Sequence, residues 1–166
     1  MTTHNYRPCV GIMLLNRQDL AFVGRRRPKG ARDVLTPSHE WQMPQGGIDE
    51  GEAPLDAALR ELHEETNVTS VSLLAESSYW YHYELPPEST KRWKGKYIGQ
   101  TQKWFALRFT GEDSEIDIER PGGGGHTPEF DDWRWEQRER LAELIVPFKR
   151  SVYEQVVREF AHLGGS

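Results

Sequence analysis

The sequence predicts an α/β domain in which helices cover a mixed β-sheet. Three observations carry this. Two apolar runs, "PCVGIMLL" and "LAFVGR", flank the polar turn "NRQD" and predict a hairpin near the N-terminus. Residues 54–66 are strong helix formers, and at about 100° per residue Leu55, Ala58, Leu59 and Leu62 share a core-facing side. Near the C-terminus, Phe148, Val152, Val156 and Phe160 recur every four residues, with Tyr153 and Val157 beside them.

Composition narrows the class. At 166 residues, residues 1–166 are read as one domain with a single core. The six Trp, six Tyr and six Phe argue against disorder. The single cysteine, Cys9, excludes an internal disulfide and fits a reducing cytoplasm. "CVGIMLL" is too short to cross a bilayer and reads as a buried strand, so no membrane partner is expected. The net charge of -5 argues against a nucleic-acid partner only on average. Segments 25–32 and 91–103 hold ten of the 21 Lys and Arg and no acid, and polyanions respond to such a local field.

The remaining elements follow in order. A polar, basic loop over 27–40 leads to "WQMPQGG". "VSLLAESSYWYHYEL", residues 71–85, is β-prone, with Tyr79, Trp80 and Tyr81 assigned to sheet packing. After a charged loop over 86–98, "TQKWFALRF" alternates Trp104, Ala106 and Arg108 with Phe105, Leu107 and Phe109, which suits a buried strand. "GEDSEIDI" reads as a short polar strand, "RPGGGGHTP" as a flexible loop and "EFDDWRW" as a strand. Pro147 is placed to open the C-terminal helix. His63 and His126 are expected to face solvent.

The helix over 54–66 poses a chemical problem. Glu61, Glu64 and Glu65 share its second face, one turn apart, where like charges repel by a few tenths of a kcal/mol per pair. They also lie near the C-terminal end, where the helix dipole disfavours anions. Local propensity does not explain such a cluster, and a solvated acidic face countered by Arg60 explains it only in part. A divalent cation does: hard oxygen ligands at helical spacing suit Mg²⁺, which bridges to substrate phosphates.

The spacing around that cluster adds a resemblance. Gly46, Glu52, Arg60, Glu61, Leu62, Glu64, Glu65 and Val68 fit the pattern G-x5-E-x7-R-E-U-x-E-E-x-G-U, in which U is aliphatic. The segment therefore resembles the Nudix box of Nudix hydrolases. One position departs, with Asn67 where the pattern has glycine; Asn is the next most tolerant residue of a left-handed helix end. Beyond the box, "YRPCVGIMLLNRQ", "WQMPQGGIDEGE", "GQTQKWFALRF", "PEFDDWRW" and "VPFKRSVYEQVVREF" resemble bacterial RNA 5′-pyrophosphohydrolases and the similar dinucleoside polyphosphate hydrolases.

The resemblance implies an α/β/α sandwich with the box as a loop-helix-loop. It implies Arg60 as the residue that orients a carboxylate, with its partner left open. It implies Glu61, Glu64, Glu65 and, by the Glu of "PEF", Glu129 as ligands of Mg²⁺ or another divalent ion, with Glu61 or Glu65 as general base. Arg7, Arg26, Gln45, Gly46, Gln100, Gln102 and Lys103 match positions around the phosphates, although strand alternation lets at most one of Gln102 and Lys103 reach them. Phe148 and Lys149 resemble a base-stacking and backbone-contacting pair, while Phe148 also fits the core stripe. The implied substrate is 5′-triphosphorylated (or diphosphorylated) RNA or, alternatively, a dinucleoside polyphosphate such as diadenosine tetraphosphate.

Overall fold

The computed structural model describes residues 6–27, 40–86, 96–125 and 127–163. Among these residues, seven strands form one mixed sheet: β1 (Tyr6–Leu15), β2 (Ala21–Arg26), β3 (Trp41–Gln42), β4 (Gln45–Gly47), β5 (Val71–Glu84), β6 (Gly99–Phe109) and β7 (Phe130–Glu136). The order is β3-β2-β1-β6-β5, with β4 paired to β1 and β7 to β2. The β1–β6 pair is parallel and the other pairs are antiparallel. Helices α1 (Pro54–Thr66), α2 (Leu141–Leu144) and α3 (Arg150–Glu159) complete the α/β arrangement expected from the sequence.

Strand alternation sorts the core onto two faces. Val10, Ile12 and Leu14 of β1 join Phe105 and Leu107 of β6 beneath Ala57, Ala58 and Leu62 of α1. Met13 and Leu15 point the other way, with Trp104 and Ala106, onto Val152, Tyr153 and Val156 of α3. At Gly11 the second face is filled by Trp104, whose ring atoms would lie 2.4 Å from an added Cβ. The β1–β2 turn is closed by Asn16, whose Oδ1 accepts hydrogen bonds from the Gln18 and Leu20 amides at 3.0 Å each.

Helix α1 spans the expected residues and starts with Pro54 in its first turn, where no intrahelical N–H is lost. It stops at Asn67, which adopts the left-handed conformation at φ 71° and ψ 0° and donates its N–H to the His63 carbonyl. The Asn67 side chain adds what glycine would lack: its Nδ2 donates to the Glu115 carbonyl at 3.1 Å.

Several elements differ from expectation. "GEDSEIDI" forms a 3-10 turn over Asp113–Glu115, held because the Glu115 carboxylate accepts the Thr69 and Ser70 amides at 2.8 and 3.0 Å. Leu59 is 38% exposed, and Ala57 takes the buried place. Leu59 instead lines an apolar groove of about 360 Å³ with Leu55, Val68, Thr69, Val71, Leu73 and Leu107. Tyr79 and Trp80 are exposed, and only Tyr81 packs inward. Within "RPGGGGHTP", Pro121 is buried in a short turn against α1. His63 is half-buried, while His126 and most of the 27–40 loop lie outside the described residues. Pro147 opens a 3-10 turn, Pro147–Lys149, that runs directly into α3.

Candidate active site

The acidic face of α1 is organised by Arg60. Its Nε and Nη2 meet the two carboxylate oxygens of Glu52 at 2.9 Å each, and Nη2 also donates to the Gly47 carbonyl at 2.9 Å. Nη1 reaches Glu61 at 3.1 Å and Glu64 at 3.4 Å. Two parallel N–H···O bonds fix the guanidinium plane, which a lysine would not do. Hydrogen bonds from Arg60 and the Asp49 amide hold the Glu52 carboxyl down at about 2. Glu52 is thus the partner that the sequence left open.

Glu61 and Glu65 form the inner pair. Burial raises the Glu61 carboxyl, and the neighbouring Glu64 charge adds to that. Glu65 is pushed up far more, by burial first and then by the charges of Glu129 and Glu61. Contact between the two carboxyls adds to the rise at Glu65 and offsets part of it at Glu61. Gly46 lets this happen: an added Cβ would lie 2.0 Å from Cδ of Glu61. Glu129 sits in the same field, with Oε2 3.9 Å from Nε of Arg26 and its carbonyl accepting the Arg27 amide at 3.1 Å.

The donor set fits a hard divalent cation. Oε1 of Glu65 is buried without a hydrogen-bond partner, which is costly unless something else neutralises it. Four carboxylates, Glu61, Glu64, Glu65 and Glu129, supply the oxygen chemistry such an ion takes. As the side chains lie, no three acids, imidazoles or thiolates among the described residues enclose one point, because Glu61 and Glu64 are turned onto Arg60.

Beside the acids lies a cationic, aromatic cluster. The guanidinium of Arg7 occupies the space a Cβ on Gly47 would fill, 2.3 Å from Nη2. Lys149, only 8% exposed, places Nζ 5.5 Å from the ring centre of Tyr83 and 6.0 Å from that of Phe148. Those two rings lie 5.8 Å apart, tilted by 47°. The Tyr83 hydroxyl is buried with no partner, in the field of Cys9, Arg26 and Arg7.

Comparison with known proteins decides the family. The NUDIX domain model matches residues 5–156. The chain belongs to the Nudix family. A curated relative named RNA pyrophosphohydrolase, from Azorhizobium caulinodans, is 56% identical over 156 residues, covering 93% of this chain and 92% of that protein. The RNA pyrophosphohydrolase of Bradyrhizobium sp. is 58% identical over 161 residues, covering 96% and 95%. Among solved structures, the E. coli dihydroneopterin triphosphate pyrophosphohydrolase superposes with a TM-score of 0.67 at 21% identity, covering 93% of this chain and 99% of that one. A C. elegans Ap4A hydrolase binary complex gives 0.64 at 18% identity, covering 93% and 95%, and shares the fold. Nudix hydrolases act on phosphoric anhydride bonds and generally use divalent metal ions. No helix among the described residues is long and apolar enough to cross a membrane.

Set against the Nudix box, the expected residues fall into three groups. Arg60, Glu61, Glu64, Glu65, Glu129, Gly46, Arg7 and Arg26 come together, and Lys149, with Phe148 beside it, stands next to them. Gln102 is a brace. It is 1% exposed, its Nε2 donates to Gln45 Oε1 at 2.8 Å and Gln100 Oε1 at 3.0 Å, and its Oε1 accepts from Trp104 Nε1 at 3.0 Å. Gln102 thereby commits the carbonyl oxygens of Gln45 and Gln100 and leaves their NH2 groups as donors. Lys103 turns away, since alternation puts it on the other side of β6, where Nζ pairs with Glu76 at 3.5 Å. Phe148 packs against the core, as one of its two readings expects, with its ring tilted by 47° to that of Tyr83. Sequence reasoning missed Tyr83, which nothing in an alternating strand sets apart from a core aromatic.

Proposed function

We propose that this Nudix hydrolase is a Mg²⁺-dependent RNA 5′-pyrophosphohydrolase. It adds water to the 5′-triphosphate of RNA, releases pyrophosphate and leaves a 5′-monophosphate, which opens the transcript to decay in the cytoplasm. A 5′-diphosphate end would lose phosphate in the same way. The carrying observation is the juxtaposition of the Glu61–Glu65 pair with the cations Arg7, Arg26 and Lys149. The names of the relatives at 56% and 58% identity support the choice of RNA.

Glu61, Glu64, Glu65 and Glu129 would hold the Mg²⁺. When bound, the ion supplies neutralising charge for the phosphoryl oxygens and acidity to the attacking water. The chain's own residues do the rest. Arg60, locked by Glu52, keeps Glu61 and Glu64 in register for the ion. Glu61 or Glu65, freed of its own proton once the ion is held, would take the proton of the attacking water. Arg7 and Arg26 draw the phosphate chain into line for displacement, and the NH2 groups of Gln45 and Gln100 donate to its oxygens. Tyr83, Phe148 and Lys149 receive the base that follows.

A dinucleoside polyphosphate offers the same phosphate chain and a purine for the Tyr83–Phe148 pair, and it is the second reading. The deciding assay supplies 5′-triphosphorylated RNA and diadenosine tetraphosphate side by side with Mg²⁺ and compares kcat/KM. A higher value for RNA is expected; a clear preference for the dinucleotide would replace the first reading with the second.

A further inference from the structure

Strand β6 carries a polar line out of the core. Trp104, Gln102 and Gln100 are alternate residues, so their side chains share one face of the sheet. Trp104 is fully buried, Gln102 is 1% exposed and Gln100 7%. The ladder puts Gln100 between Arg7 of β1 and Tyr83 of β5. It puts Trp104 beside Gly11, which pairs on its other side with Gln45 of β4. The outer end of the line thus meets the cationic cluster, and the backbone N–H of Gln45 hydrogen-bonds Glu65.

Hydrogen bonds along this line have a direction, and one group on it cannot reverse. A glutamine amide can turn over and exchange its C=O for its NH2, but an indole N–H only donates. The Trp104 ring is fixed in place. An added Cβ on Gly11 would lie 2.4 Å from it, and Tyr153 packs edge-on with ring centres 5.6 Å apart. Tyr153 is itself held by the Met43 amide, which donates to its hydroxyl at 2.8 Å. Nε1 of Trp104 donates to Oε1 of Gln102 at 3.0 Å, so the NH2 of Gln102 faces the other way. There it donates to Oε1 of Gln45 at 2.8 Å and Oε1 of Gln100 at 3.0 Å. Turning Gln102 over would set its NH2 against the indole N–H, two buried donors facing each other without an acceptor.

We propose that Trp104 is a positioning residue for phosphate binding. Its indole N–H, relayed by Gln102, makes Gln45 and Gln100 present NH2 rather than C=O to the phosphates of the substrate. The inference rests on the pyrophosphohydrolase reading above and deepens it by giving the two amides their direction.

Two variants of the full chain test it. Trp104→benzothienylalanine keeps the shape of the ring and puts sulfur in place of the N–H. Gln102→Glu puts a carboxylate, which only accepts, against the N–H groups of Trp104, Gln45 and Gln100, so both glutamine carbonyls turn toward the phosphates. The readouts are Kd for inorganic pyrophosphate with Mg²⁺, KM for triphosphorylated RNA and for diadenosine tetraphosphate, and the melting temperature. A hydrogen bond to a charged oxygen is worth about tenfold, so Gln102→Glu should raise Kd and both KM values by about tenfold or more, and the sulfur analogue by about threefold. A Gln45→Met/Gln100→Met background separates direction from charge. With no amides left to turn, adding Gln102→Glu there should raise Kd by less than about twofold. A full rise in that background would make the new charge the cause and overturn the proposal, as would wild-type Kd in the sulfur analogue. A lowered melting temperature with wild-type Kd and KM in both variants would reduce Trp104 and Gln102 to scaffold, and also overturns it. A wild type that prefers diadenosine tetraphosphate replaces the RNA reading but leaves the rise in pyrophosphate Kd expected, so the two fail separately.

Discussion

Replacing Gly46 by alanine tests how tightly the site is built. The position lies outside the left-handed backbone region, so alanine is acceptable to the strand itself. Its Cβ, however, would lie 2.0 Å from Cδ of Glu61 and 2.2 and 2.4 Å from the two carboxylate oxygens. Carbon atoms pack at about 3.5 Å or more, so the Glu61 carboxylate must retreat by about 1.5 Å. That retreat breaks the 3.1 Å contact to Arg60 and the contact with Glu65. A misplacement of about 1 Å costs on the order of 100-fold in rate, or about 2.7 kcal/mol of barrier. Turnover of triphosphorylated RNA under saturating Mg²⁺, measured beside a thermal melt, should therefore fall at least ~100-fold with little change in melting temperature. Activity within about threefold of wild type (under 1 kcal/mol) would show that Glu61 does not need the position described here.

Other perturbations have defined outcomes. Glu52→Gln removes the charged partner of Arg60; because the Glu52 carboxyl is held down at about 2, its contribution is present above about pH 4.5 and disappears as pH falls toward 2. Melting curves of wild type and Glu52→Gln should therefore differ near neutrality and converge in strong acid, and a constant gap at all pH values would exclude the ion pair as the cause. Glu65→Gln should abolish turnover yet stabilise the metal-free protein by about 1–3 kcal/mol, or roughly 2–10 °C, by removing a buried acidic group whose Oε1 has no hydrogen-bond partner. Since the Glu65 carboxyl is raised, the unfavourable ionisation sets in above the unfolded value, and the gain should widen from pH 5 to pH 8. A loss of metal-free stability in this variant would contradict the assignment. Asn67→Gly keeps the left-handed cap but loses the bond to Glu115, so calorimetry should find a change of at most about 1 kcal/mol and full activity. A collapse of activity would show that this clasp positions the acids.

Much of this architecture is legible in the sequence because period and punctuation agree. Helix α1 is bounded by Pro54 and Asn67 as the residues demand, and the alternation over 104–109 marks a strand buried on both faces. The acidic cluster is legible because its repulsion needs a cause, and the partner Glu52 stands inside the same motif. What was not legible depends on tertiary contact. "GEDSEIDI" has the composition of a polar strand, but Glu115 folds it onto Thr69 and Ser70. Gln102 looks like a phosphate donor until its three side-chain partners, two amides and an indole, are seen. Tyr79 and Trp80 match the pattern of sheet packing, but a register break held by Ser77 and by Glu159, far away in the chain, leaves them exposed.

Calorimetric titration of the metal-free protein with MgCl2, run in buffers of differing ionisation enthalpy, addresses the heart of the account. Saturable binding with release of the Glu65 proton, weakened in Glu65→Gln and Glu64→Gln, is the predicted outcome. Absence of any magnesium or manganese uptake, with triphosphorylated RNA in the cell as well as without it, would contradict it.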